Sequence, residues 1–224
     1  MSAPISIVIP TLNAQDRLAT CLLALMEGLH AGLIQELIIS DGGSTDCTLS
    51  IAEDAGAEIV TGPASRGGQL RRGCAQARAE WLLVLHADTV LQPGWAETVR
   101  DHLHKNNPAA FRLTFGANGF APTWVAIWAN LRSHVFSLPY GDQGLLIPKD
   151  IYLSAGGYPD QPLMEDVALA RALPRIALLG ARAVTSAERY ERSGWLRRGA
   201  RNLWTLSRYL LGADPEHLAR AYRR

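Results

Sequence analysis

Apolar residues open the chain as a β-branched run, Ile5-Ser6-Ile7-Val8-Ile9, closed by Pro10, whose ring removes a backbone donor; the pattern predicts a buried strand. Behind it Leu18, Leu22, Leu25, Met26 and Leu29 recur at helical spacing, with Asn13 as the expected N-cap and Asp16 in the first turn. The alternation continues with a strand at 37–39, a polar loop at 41–45, a helix over 46–55 stopped by Gly56, a strand at 58–60 and a helix over 67–78. Trp81-Leu82-Leu83-Val84-Leu85 is apolar throughout and reads as a strand covered on both faces of a parallel sheet. Pro93 stands where a further helix begins. A strand is expected at 110–115, a helix at 122–138 with Trp124, Trp128, Leu131 and Val135 on one face, a short strand at 143–147 and a helix at 164–173. Two helices close the chain, the last with Asp214 as N-cap and Pro215 as its first residue.

This beat defines an α/β fold with a mainly parallel mixed sheet, helices on both faces and C-terminal helices. Sheets of that kind bind ligands at the carboxyl ends of their strands. The polar strand ends are Pro10-Thr11-Leu12-Asn13, Asp41-Gly42-Gly43-Ser44 and His86-Ala87-Asp88, all expected along one edge. No repeat or linker interrupts the 224 residues, which read as one domain: a ligand-binding half over 1–110, a second half over 111–190 and a basic helical segment over 191–224.

Composition narrows the class. With 48% hydrophobic and 19% charged residues the chain is not disordered, and a net charge of +1 gives no ground for a nucleic-acid partner. That near-neutrality hides an asymmetry: residues 1–181 hold 12 basic and 17 acidic side chains, residues 182–224 hold 10 and 4. Cys21, Cys47 and Cys74 form no CxxC pair, which argues against a disulfide framework or a zinc site. The start lacks a basic signal-peptide region and no apolar run reaches the ~18 residues of a membrane span, so a cytoplasmic location is expected.

The strand ends carry the candidate chemistry. Asp41, before a glycine pair, is either an Asx-type turn or an acceptor for a nucleobase N–H or ribose hydroxyl. Arg66 opens a helix ahead of Gly67 and Gly68, a combination that suits a diphosphate seat or a solvated basic face. Asp88 needs a partner: a divalent cation shared with phosphate oxygens, an arginine or a helix N-terminus. His86 points to the same side, either as a hydrogen-bonded structural residue or as a metal or ribose contact. Glu165 and Asp166 begin a helix, where they are macrodipole partners or, beside a bound diphosphate, carboxylates raised towards general-base use.

Taken together, the 5–13 strand and its end, the Ser40-Asp41-Gly42-Gly43-Ser44-Thr45-Asp46 loop, the 81–88 segment and Glu165-Asp166 resemble family-2 glycosyltransferases of the GT-A fold. Arg66-Gly67-Gly68-Gln69-Leu70, Leu85-His86-Ala87-Asp88-Thr89, Tyr140-Gly141-Asp142-Gln143-Gly144 and Arg189-Tyr190-Glu191 resemble a compact bacterial subgroup linked to radical-enzyme and arsenosugar pathways. The resemblance implies inverting transfer of a sugar from a nucleotide-diphosphate donor to an acceptor hydroxyl. It implies Pro10, Thr11 and Asn13 by the nucleoside, Asp41 on the base or ribose, and Gln69, His86 and Ala87 on the donor side. Asp88 would hold Mg²⁺ or Mn²⁺ against the diphosphate and Asp166, with Glu165 beside it, would deprotonate the acceptor. Gln143 falls where the family places acceptor-facing residues, and Trp124 and Trp128 form either core or an apolar acceptor wall. The family's Asp-x-Asp has His86 at its first position here, and Arg72 replaces an asparagine usual in the family. These departures keep open a non-catalytic nucleotide-sugar-binding protein. A sugar nucleotidyltransferase would carry a glycine-rich loop directly after the first strand, where this chain has Pro10-Thr11-Leu12-Asn13.

In the basic tail, Arg189 and Arg192 are placed to close over donor phosphates. On a helical wheel over 195–211, Arg197, Arg201 and Arg208 share a face with Trp204, while Leu196, Leu203, Leu206 and Leu210 fill the other. Such a helix either covers its own domain's core, the expectation adopted for the leucine face, or lies on an anionic bilayer, giving a peripheral membrane contact through 193–211; the acceptor is expected to be a small molecule or lipid-linked.

Overall fold

β1 (Ile5–Thr11) sits inside the sheet, parallel to β2 (Ile34–Asp41) on one side and to β4 (Trp81–Val84) on the other. The computed structural model describes residues 3–223, apart from the side chains of Arg189 and Arg223. β3 (Glu58–Thr61) flanks β2 in parallel; beyond β4 come β7 (Leu145–Pro148), β6 (Ala109–Phe115), β8 (Ala177–Thr185) and β5 (Thr89–Leu91). β4 and β7, β6 and β7, and β5 and β8 are antiparallel, whereas β6 and β8 are parallel, so the described sheet is mixed and eight-stranded.

Both faces of the centre are covered, which is why β1 and β4 read as continuous apolar runs. Ile5, Ile7, Ile9, Leu83 and Trp95 belong to one core, with α1 (Gln15–His30) and α4 (Trp95–Leu103). Val8, Ile38, Leu82, Val84 and Leu70 belong to the other, under α3 (Arg66–Gln76). Each fully buried side chain of this size contributes about 1.5–3 kcal/mol. α2 (Thr48–Asp54), α6 (Lys149–Ser154) and α7 (Glu165–Ala172) complete the flanks. α5 (Phe120–Phe136), α8 (Glu188–Ser193), α9 (Trp195–Leu210) and α10 (Pro215–Arg223) close the remaining end over two smaller apolar clusters.

Several local expectations are corrected. β1 runs through Pro10 to Thr11, which is tolerated because β4 pairs with β1 only as far as Val8. Asn13 does not cap α1: it lies at φ 49°, and its side-chain oxygen accepts from the Thr45 N–H at 2.9 Å. Gln143 lies in a 3₁₀ turn, Gly141–Gln143, ahead of β7. It is fully buried: Ser133 Oγ donates to its Oε1 at 2.6 Å and its Nε2 donates to Phe111 O at 3.0 Å. Gln143 therefore ties α5 to β6 rather than facing an acceptor. The packed strip of α5 is Pro122, Ala126, Ala129 and Ser133, so Trp124 and Trp128 point outward and form neither core nor cavity wall. On α9 the expected leucine face is turned to solvent; Leu206 alone of those four leucines is buried.

Candidate functional site

The carboxyl ends of β2, β1 and β4 lie side by side, since Thr11 stands opposite Asp41 and Val8 opposite Val84. An open cleft of about 830 Å³ follows this edge; Pro10, Thr11, Asn13, Gln69, Ala87 and Arg192 line it. A smaller cavity of about 130 Å³ adjoins it, with Arg66, His86 and Asp88 shared between them and Asp142 and Asp166 on its far side. Two strand ends remote in sequence are thus joined to the 141–166 segment.

Asp41 is the largest departure within this edge. Its carboxylate is fully buried and accepts from Thr11 Oγ1 at 2.8 Å, Gly43 N at 2.7 Å, Ser44 N at 2.7 Å and Ser44 Oγ at 2.5 Å. Burial alone would push its pKa up, but the bonds from Ser44, Thr11 and Gly43 hold it below the usual carboxylate range. The geometry is the Asx-type turn, and Asp41 does not line the cleft; it fixes the loop on which Ser44 Oγ accepts from Asn13 N at 2.8 Å. Gln69 acts similarly from α3, donating through Nε2 to Thr11 O at 2.7 Å and Ser40 O at 3.0 Å.

The N-terminus of α3 is not an open anion seat. Gly67 N donates to Gln161 O at 3.1 Å, and Gly68 N to Ser65 Oγ at 3.4 Å. Gly67 is there for close packing: a Cβ on it would lie 1.9 Å from Pro159 O. Arg66 therefore supplies the cationic character by its side chain. Its Nε sits 3.1 Å from Glu165 Oε1, and an η-nitrogen lies 3.3 Å and 3.1 Å from the two ring nitrogens of His86. Glu165 is buried, which pushes its carboxyl up while Arg66 opposes that push. It does not line the cavity, so the expected catalytic place for Glu165 is replaced by a buried ion pair with Arg66.

Asp166 does line the cavity. Its Oδ2 accepts from Gly141 N at 2.8 Å and its Oδ1 from Val167 N at 2.7 Å. The residue before this pair, Met164, holds φ 63°, a left-handed conformation rare for a non-glycine residue, and so marks local strain at the turn that presents Glu165 inward and Asp166 to the cavity. Asp142, to which the sequence reading gave no role, joins Asp88 and Asp166 here. Burial, with the charges of Asp166 and Asp88, pushes its pKa up to about 6 against the pull of Arg132 and Arg66. One of its carboxylate oxygens is buried without a hydrogen-bond partner. Its legible signal was a carboxylate within the Tyr140-Gly141-Asp142-Gln143-Gly144 motif just ahead of β7.

The C-terminal helices close the cavity with residues that periodicity did not single out. Arg198 donates to Tyr222 Oη at 2.8 Å, Tyr222 Oη donates to Asn202 Oδ1 at 2.8 Å, and Asn202 Nδ2 donates to Tyr190 Oη at 2.9 Å; all four line it. Arg192 reaches the larger cleft but is paired with Glu188, which also pairs with Arg17. The side chain of Arg189 lies outside the described residues.

The residues suit a divalent cation that arrives with a diphosphate. Among the described residues no three His, Cys, Asp or Glu side chains gather as a self-sufficient metal site. Asp88 makes no side-chain hydrogen bond, and Asp142, one of whose oxygens is buried without a hydrogen-bond partner, lines the same cavity. Mg²⁺ characteristically takes one or two carboxylates and completes its shell with phosphate oxygens and water.

Comparison with known proteins agrees with this architecture. The model of glycosyl transferase family 2 matches residues 6–144, more than half of the chain, and the chain belongs to that family. Its fold is GT-A: S. aureus TarS (residues 1–349) superposes with a TM-score of 0.66 at 14% identity, covering 96% of this chain and 68% of that one. Glucosyl-3-phosphoglycerate synthase from Mycobacterium tuberculosis, solved with Mn²⁺, uridine diphosphate and glucosyl-3-phosphoglycerate, superposes with a TM-score of 0.55 at 21% identity, covering 82% and 70%. In sequence, a PGL/p-HBAD biosynthesis glycosyltransferase of Mycobacterium bovis is 37% identical over 99 residues, 41% of this chain and 38% of its own length. The chain thus aligns with well under half the length of that relative.

Proposed function

We propose that this chain transfers a sugar from a nucleoside-diphosphate donor to an acceptor hydroxyl, with inversion at the anomeric carbon. The observation that carries the reading is the convergence of Arg66, Asp88 and Asp166 on one cavity that opens into the cleft above β1, β2 and β4. Uridine diphosphate is the donor nucleotide to try first, because TarS and glucosyl-3-phosphoglycerate synthase were solved with it.

In this reading the nucleoside lies along Pro10, Thr11 and Asn13, on the wall that Asp41 and Gln69 brace. Asp88, with Asp142, would hold Mg²⁺ or Mn²⁺; the cation's chemistry is to neutralise charge on the departing diphosphate. Arg66, aimed by Glu165, adds a guanidinium on the same side. Asp166, oriented by the Gly141 N–H, accepts the acceptor's proton and sharpens its oxygen as nucleophile. Attack from the face opposite the leaving group forms the new glycosidic bond as the old one breaks, which inverts the centre. The halves 1–110 and 111–190 then serve donor and acceptor respectively. The finer assignment, to the compact subgroup linked to radical-enzyme and arsenosugar pathways, rests on the 66–70, 85–89, 140–144 and 189–191 motifs alone.

A thermal-shift screen tests the donor reading. Uridine diphosphate with Mn²⁺ should raise the melting temperature, by the equivalent of about 2.7 kcal/mol at a hundredfold excess over Kd. Chelation should abolish the shift, and Asp88→Ala should weaken it. A shift that ignores both cation and Asp88 would overturn the role given to Asp88. Binding without turnover on any sugar donor would favour the non-catalytic nucleotide-sugar-binding reading.

A further inference from the structure

α5 and α9 pack against each other, and both turn apolar side chains to solvent. On α5 these include Trp124 and Trp128, each 51% exposed and stacked at 6.4 Å, with Ile127 and Phe136. On α9 and its end they are Leu196, Leu203, Trp204, Leu210 and Leu211, with Leu196 77% and Trp204 66% exposed. A water-facing helix ordinarily buries such residues and exposes polar ones. Here α9 buries the strip holding Thr205 and Leu206, and its Arg198 and Asn202 line the cavity; the leucines face away. Exposed apolar side chains gathered on two helices that pack together mark an interaction site.

Charge identifies the occupant. α5 and α9 contain no aspartate or glutamate, while Arg197 and Arg208 border the apolar strip of α9 beside Trp204. A second copy docked through the same face by two-fold symmetry would set arginines against apolar surface or other arginines, with no carboxylate on either helix to receive them. A bilayer surface supplies both requirements, since indole rings favour the headgroup level and guanidinium groups meet lipid phosphates. No helix among the described residues is long and apolar enough to cross a membrane, so contact would be in-plane. We propose that the α5–α9 face docks this chain on an anionic membrane surface, with the cavity on the opposite side of α9. Docking does not depend on the transferase reading. If both hold, the acceptor is one presented at a membrane.

Flotation with vesicles of phosphatidylcholine and phosphatidylglycerol in equal parts tests this with the full chain. The protein should float with these vesicles, should bind phosphatidylcholine alone at least tenfold more weakly, and should lose affinity as salt rises. Trp124→Ser with Trp128→Ser should cut partitioning at least tenfold, and Arg197→Glu with Arg208→Glu should abolish the preference for anionic lipid. All four positions are on the surface, so circular dichroism and uridine diphosphate binding should be unchanged, which separates failure of docking from failure of the donor site. A chain that stays unbound with either vesicle overturns the proposal. So does a dimer, seen by light scattering, that the tryptophan variants convert to monomer, because the occupant is then a second copy.

Discussion

At the end of β2, Asp41 receives four hydrogen bonds and its carboxyl is held below the usual range, whereas across the cleft Asp142 keeps a buried oxygen without a partner and is pushed up to about 6. Both aspartates lie inside the protein surface and differ in what surrounds them. Backbone N–H groups and hydroxyls stabilise the charged form of Asp41; at Asp142 burial disfavours the charged form, and Asp166 and Asp88 add to that push against Arg132 and Arg66. The donor wall is therefore a finished structure, complete without a ligand. The cavity is unfinished, with charge and hydrogen-bonding capacity that a cation and a substrate would complete.

Substitutions should separate these regions. The largest effect on stability is expected from Asp41→Ala, which strands the Gly43 and Ser44 N–H groups; about 3 kcal/mol should be lost, lowering the melting temperature by roughly 6–12 °C in thermal denaturation. An unchanged melting temperature there would break the distinction. Glu165→Gln should act on function instead: Arg66 loses its opposing charge, and donor KM should rise about tenfold, equivalent to about 1.4 kcal/mol, with a smaller change in kcat. If kcat falls and KM does not, Glu165 takes part in the chemical step.

An effect of opposite sign is expected from Asp142→Asn. The folded-state pKa of Asp142 is raised to about 6 from the ordinary 3.8 of an aspartate, so the folded state favours its protonated form. That stabilisation is fully present below about 3.8 and is lost as pH rises through about 6. Asparagine does not ionise, so the variant should melt several degrees higher than the parent at pH 8 and at the same temperature near pH 4. A variant that melts lower at pH 8 would mean that the Asp142 charge is already satisfied.

The same contrast explains what was readable in the chain. β1, β2, β4, α1 and α3 announce themselves because parallel strands buried on both faces require unbroken apolar runs and their helices require a 3.6-residue stripe. Asp88 and Asp166 were legible as polar residues delivered by such elements. β8 was not: its sequence, ALLGARAVT, mixes glycine, alanine and arginine, and its pairing with β6 and β5 is a long-range fact that no local window contains. At Asp41 the Asx-type turn was one of the two readings, and the bonds from Gly43 and Ser44 are local to it; only the bond from Thr11, on another strand, was invisible. The outer faces of α5 and α9 misled for a physical reason: periodicity locates an apolar stripe but not the side of the helix on which the domain lies. In α5 small residues, Ala126, Ala129 and Ser133, form the packed side, leaving the tryptophans outside.

The most direct test of the proposed chemistry is nucleotide release by Asp166→Asn. With a panel of uridine diphosphate sugars, Mn²⁺ and hydroxyl acceptors, the parent chain should release uridine diphosphate from at least one donor. The variant should be slower by about 10²–10⁴-fold while binding uridine diphosphate with unchanged affinity. A variant that turns over within twofold of the parent would contradict the assignment of Asp166 as the base.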